Sequence, residues 1–255
     1  MSIEDWCRHC LGPGPMTLEH LPPRSADNKD ELRLIDDAGV VIHTFNEGHA
    51  IPTLCEECNK SASDRKLPLA YKLWREDVIG ALREETDRRS EGKPFNIWDG
   101  GEPVRIVHSL SRHPGRIARQ VLGMILALQA SPWLLLDYPQ IQAAYQADGP
   151  SSIAPYSLLL MLSNSNFAYT KQPVAHVELD LGSGDATTTE MRLFAFTPFT
   201  AVLANGPVPW PTLSLDPWLD KGTDYHFRTR DATTIYPIAP RAQMVLAKLY
   251  GAPGA

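Results

Sequence analysis

Residues 55–59 read CEECN, and residues 7–10 read CRHC. The 255-residue chain has four cysteines, Cys7, Cys10, Cys55 and Cys58, and all of them lie in these two C-x-x-C pairs. Two thiolates three positions apart on a tight turn can reach one ion at about 2.3 Å, and two such turns complete a tetrahedron. Free buried thiols and thioredoxin-like redox pairs are the competing readings. A symmetric pairing with no further cysteine favours structural zinc. An ion held in this way ties the start of the chain to residue 55.

Between the pairs, residues 16–25 read MTLEHLPPRS, a short loop carrying Glu19 beside His20. Pro22 and Pro23 restrict the backbone just after them. LRLI and VVIHTF flank the turn DDAG, so a hairpin is expected over residues 32–45, with His43 as a structural strand residue. After Cys58 the chain reads as helical, with Leu67, Ala70, Trp74, Val78, Ala81 and Leu82 along one stripe. Ser63 is a candidate N-cap for a short first helix. Pro68 suits a first turn only if a helix begins near Lys66, so a break is expected there, with a stop near Gly92.

Residues 91–103 are rich in turn formers and mark an expected boundary. Beyond it, VRIVHSL reads as a strand, while PGRIARQVLGMILALQA and YPQIQAAYQA read as helices. YSLLLMLSN, VAHVELDLG and TEMRLFAFTPFTAVLANG read as strands, PVPWPTLSLDPW as an extended connection and RAQMVLAKLYG as a terminal helix. The expected fold class is α+β. Residues 1–92 would form a cysteine-bearing module with a trailing helix, and residues 93–255 a mixed α+β domain.

The formal net charge is −6. It comes from residues 1–92, with 12 basic against 18 acidic residues; residues 93–255 hold 12 of each. Such a chain has no long-range attraction to nucleic acid, so any binding needs a local basic patch or a bound cation. The longest apolar runs fall short of the ~18–20 residues that cross a bilayer, so no membrane partner is expected. The opening residues lack a basic stretch followed by an apolar one, and a cytoplasmic location is expected.

The order C-x-x-C, Glu19–His20, hairpin, C-x-x-C, Asn59 and helix resembles the HNH endonucleases, a group of ββα-metal nucleases. The resemblance spans residues 5–75. It implies a closed structural zinc on Cys7, Cys10, Cys55 and Cys58. It also implies His20 as general base, and Glu19 and Asn59 as ligands of a catalytic Mg²⁺ or Mn²⁺. A histidine with its pKa near 6.5 suits a base at neutral pH, and Mg²⁺ needs few protein ligands. The family carries an asparagine about five residues before the second cysteine pair. Ala50 stands there, with Asn46 and His49 as the nearest polar residues. Asn46 could orient the base, and His49 could contact a metal or phosphate. The resemblance implies DNA as substrate, a protein partner through the C-terminal part, and a role in bacterial defence against phage or mobile DNA.

Lys60 follows Asn59 and could touch phosphates. No acidic residue lies between Glu102 and Asp137, and this stretch holds Arg105, Arg112, Arg116 and Arg119 with His108 and His113. It is the candidate nucleic-acid surface. The competing reading is a partner interface, or salt bridges to the acidic N-terminal half. His9 is expected to be exposed, and Trp133, Trp210 and Trp218 to be core. Three function classes remain: a metal-dependent nuclease, a non-catalytic zinc module that recognises nucleic acid or a partner, and an effector subunit held inactive until its partner arrives.

Overall fold

Cys55 is both the last residue of a strand and the N-cap of a helix. In the computed structural model, strand β1 (Met16–His20) and helix α1 (Glu56–Asp64) are joined through this strand. The structure describes residues 6–28, 32–35, 41–45, 48, 50–90, 98, 102–129, 132–164, 167–168, 175–180, 186–208 and 210–239. Strands β2 (Leu32–Ile35) and β3 (Val41–Phe45) pair antiparallel, as the sequence predicts, and β4 (Ala50–Cys55) follows.

β4 pairs antiparallel with β1, from Met16 opposite Cys55 to His20 opposite Ala50. Residues 16–20, expected as loop, thus form a strand paired with residues 50–55. Their partners are far apart in sequence, and Pro52 interrupts the local pattern. The register slips between Thr17 and Leu18, leaving Thr53 as an extra residue on β4. The Thr53 carbonyl accepts a hydrogen bond from the Arg8 N–H at 2.9 Å, which fastens the first cysteine turn to this sheet.

α1 begins at Glu56, earlier than a cap at Ser63 would place it. Lys66 adopts φ 58°, a left-handed break, and α2 (Leu67–Ser90) restarts with Pro68 in its first turn, where a missing N–H costs nothing. Leu67, Ala70, Trp74, Val78 and Leu82 are buried, as the stripe predicts.

β5 (Val104–Val107) leads to α3 (Pro114–Ala127), an almost wholly buried helix, then α4 (Trp133–Asp137) and α5 (Pro139–Gln146). The remaining strands are β6 (Ser157–Leu162), β7 (Phe167–Ala168), β8 (Ala175–Asp180), β9 (Ala186–Phe196), β10 (Phe199–Asn205), β11 (Leu213–Ser214) and β12 (Thr233–Tyr236). Among the described residues, the largest sheet runs β11-β6-β10-β9-β7, with β8 also on β9, all antiparallel. β12 pairs with β5. The stretch expected as a plain extended connection contains α6 (Asp216–Leu219). The class is α+β, as expected.

Alternation along β6 and β10 divides the sheet. Leu158, Leu160, Leu162, Ala201 and Leu203 join the main core, whereas Leu159, Met161, Val202 and Ala204 form a small second cluster with Trp210. The main core does not stop at residue 92. It runs from Cys7 and Leu54 through Trp74 and α3 to Tyr236 and Ile238. Trp74 stacks on Phe199 at 4.0 Å and 2° and donates through Nε1 to the Tyr236 hydroxyl at 3.1 Å. Trp210 and Trp218 are core, but Trp133 is 67% exposed, on the outer side of the short α4. The expected terminal helix, residues 241–251, lies outside the described residues, as do Gly92, Asn46 and His49.

Candidate metal centre and its surroundings

The first cysteine turn is shaped by its backbone. The Cys7 N–H donates to the Gly12 carbonyl, the Leu11 N–H donates to the Cys7 carbonyl, and Leu11 takes φ 61° to allow it. The Gly12 N–H points at Cys10 Sγ, 3.4 Å away. A side chain at Gly12 would press on that sulfur at 3.2 Å. The second turn uses the start of α1, where helix N–H groups have no helical partner and favour negative charge.

The four sulfurs lie within 4.8 Å of one another, and Cys10 and Cys55 are 3.8 Å apart. A tetrahedron with arms of about 2.3 Å has edges of about 3.8 Å. Residues separated by 45 positions therefore meet at the spacing a single ion needs, and the four cysteines could hold a metal ion such as zinc. The Cys58 thiol and the N–H groups of Cys55, His9 and Cys10 draw the Cys7 thiol down to about 4 against its burial. Its partner Cys58 is pushed up, first by that same hydrogen bond and then by burial.

His9, expected to be exposed, is 3% accessible. It points from the first turn into the seam of α3 and α5. Its Nε2–H donates to the Gly123 carbonyl at 3.0 Å, and its ring lies 4.2 Å from that of Tyr145. Burial lowers its pKa to about 4. Gly123 is required by this contact, since a Cβ there would lie 2.6 Å from the Tyr145 ring.

Glu19 and His20 close β1 opposite Ile51 and Ala50, at the other end of the strand pair from Met16 and Cys55, and both are half-buried. Burial alone raises the Glu19 carboxyl to about 7. Asn59, in the first turns of α1, donates from Nδ2 to Thr17 Oγ1 at 3.1 Å, and Thr17 in turn donates to the Leu54 carbonyl at 2.8 Å. The turn after His20 is held by Asn28, 1% exposed, which donates to the Pro22 carbonyl at 2.6 Å. Gly48 backs it at φ 83°, with no room for a Cβ against Asn28. Thr17, Asn28 and Tyr145 carry no local sequence signal; only their tertiary partners reveal them.

The basic segment is placed differently. Lys60 and Arg105 are exposed. Arg112 makes two hydrogen bonds to Asp77 of α2, at 2.9 and 2.8 Å, and Arg116 pairs with Asp224 at 2.9 Å. Arg119 is 0% exposed and corrects the surface expectation outright. Its guanidinium donates to the carbonyls of Ala147, Gly115, Gly149 and Leu219 and to Ser151 Oγ. Arg65 converges on the same loop through Asp148 and the carbonyls of Tyr145 and Ala147. Both arginines cap the C-terminal end of α5, where carbonyls lack helical partners. Facing the start of α3, the 221–230 segment presents exposed Lys221, Arg228 and Arg230. No described helix is long and apolar enough to cross a membrane. Comparison of the chain with family models, with curated proteins and with solved structures finds no match.

Proposed function

We propose that this chain is a metal-dependent endonuclease of the HNH type that hydrolyses phosphodiester bonds in DNA. The observation that carries the reading is one corner of the molecule. There β1, β4 and α1 meet around the four cysteines, with Glu19–His20 at the end of β1 and Asn59 bonded back to Thr17 of the same strand. A scaffold needs only the cysteines, so Glu19, His20 and Asn59 on the same strand pair and helix argue for chemistry.

In this reading zinc closes the cysteine cluster and holds the strands and helix in register. Glu19 and Asn59 would hold a Mg²⁺ or Mn²⁺, both offering hard oxygen donors. The Glu19 carboxyl, raised by desolvation to about 7, is a group whose ionised form a cation would favour. A divalent cation, when bound, supplies charge neutralisation at the scissile phosphate and the leaving oxygen. His20 accepts a proton from the attacking water, whose oxygen bonds to phosphorus as the bond to the 3′ oxygen breaks. Exposed Lys60 and Arg105 contribute phosphate contacts; Arg112 and Arg116 are already paired to carboxylates, and Arg119 is spent inside the fold.

Purified protein with Mg²⁺ or Mn²⁺ is expected to nick or linearise plasmid DNA. The variant His20→Ala, with its zinc complement intact, is expected to be slower by about 10²–10⁴-fold. An inert wild type with full zinc overturns the hydrolytic reading. It would leave a metal-stabilised module that recognises nucleic acid or a partner without cutting. That second reading is favoured by Ala50, which stands where the family carries its orienting asparagine.

A further inference from the structure

Thr17 stands between the metal-bearing turn and Asn59. Its hydroxyl has one proton to give. That proton goes to the Leu54 carbonyl at 2.8 Å, an atom that can only accept. Toward Asn59, at 3.1 Å, Thr17 can therefore only accept, and the amide must present its NH₂ group. This direction of bonding settles which way the amide faces, because the reversed amide would set oxygen against oxygen. The Asn59 oxygen is then the amide atom left over, held on a threonine whose branched Cβ fixes its own rotamer. Glu19 lies two residues along from Thr17, on the same face of β1. Leu54, which receives the Thr17 proton, is the direct neighbour of Cys55 and sits opposite Thr17 in the register.

We propose that Thr17 is a positioning residue that turns the Asn59 side-chain oxygen toward a divalent cation shared with Glu19. It does so through a relay from the Leu54 carbonyl, next to the cysteine cluster. This rests on the reading of Glu19 and Asn59 as cation ligands. The relay makes the amide orientation depend on a correctly seated cluster, since a shift of Leu54 would release the Thr17 proton.

The test is Mn²⁺ binding by calorimetry to zinc-loaded wild type, Thr17→Val and Thr17→Ser, with zinc content and melting temperature measured alongside. Valine keeps the shape of the strand residue and removes the hydroxyl; serine restores it. Thr17→Val is expected to bind Mn²⁺ about 10–100-fold more weakly with zinc retained, as partners behind metal ligands commonly do. Thr17→Ser is expected to bind close to the wild type. Wild-type affinity in Thr17→Val overturns the positioning role. Equal weakening in Thr17→Val and Thr17→Ser also overturns it, because the strand rather than the hydroxyl would then matter. A wild type that binds zinc in full and no Mn²⁺ fails earlier, and takes the cation-ligand reading down together with this inference.

Discussion

Two stretches of the sequence carry chemistry-bearing residues at suggestive spacing, and the fold treats them in opposite ways. Cys7, Cys10, Cys55 and Cys58 converge within 4.8 Å. Arg112, Arg116 and Arg119 turn to internal partners. The difference lies in what each chemistry demands. A thiolate cluster has a fixed number and distance of ligands, so spacing alone points to it. An arginine carries five donors on a long stem and is satisfied equally by phosphate, carboxylate or backbone carbonyl. A run of arginines therefore leaves its partner open, and here several of the partners belong to the chain itself.

The strongest way to break this comparison is to deny the cysteine cluster an ion. Chelation, or Cys55→Ser, is expected to cost on the order of 5 kcal/mol, lowering the melting temperature by roughly 10–20 °C. Calorimetric melts with and without chelator check this, and an unchanged melt would demote the cluster to four free thiols. Next in size is Arg119→Met. It strips bonds from four carbonyls and one hydroxyl and is expected to cost about 3 kcal/mol in urea unfolding. DNA affinity per folded molecule is expected to stay the same; a selective loss of affinity would return Arg119 to the surface set.

His108, from the same basic segment, sharpens the point through pH. Its ring is buried, bonded through Nε2 to the Tyr236 hydroxyl at 2.7 Å, and burial lowers its pKa to about 4. The unfolded residue protonates near 6.5. Between these values the unfolded chain holds more protons, so stability falls as pH drops from about 6.5 to about 4. The loss attributable to His108 is expected to be about 2–3 kcal/mol, and His108→Gln should flatten that part of a urea-unfolding series against pH. The smallest effect is at Arg105, exposed on β5. Arg105→Ala is expected to change stability by less than about 0.5 kcal/mol. If nucleic acid lies along this strand, it should lower the slope of log affinity against log salt by about 1.

What could be read from the sequence follows the range of the signal. The cysteine pairs, the hairpin at 32–45, the break before Pro68 and the buried stripe of α2 were legible, because each depends on neighbours within a turn or two. β1 and β4 were not, since Met16 and Cys55 pair across the intervening chain and Pro52 hides the strand pattern. His9 looked like an exposed filler between two ligands, and only Gly123, 114 positions away, explains its burial. Glu19, His20 and Asn59 stand out in the sequence only through the resemblance to the HNH motif. The residues that hold them, Thr17 and Asn28, bear no motif.

The seat of His9 also has a consequence in time. All four cysteines lie before residue 59, while Gly123 and Tyr145 come much later in the chain. A ribosome adding about 5–20 residues per second needs about 3–13 s to pass from Cys58 to Gly123. During that interval the cysteines can close on an ion while the imidazole beside them has nowhere to go. If an ion is captured in that interval, the first turn is set before Gly123 and Tyr145 emerge, and α3 and α5 would then pack against the ring that this turn already displays.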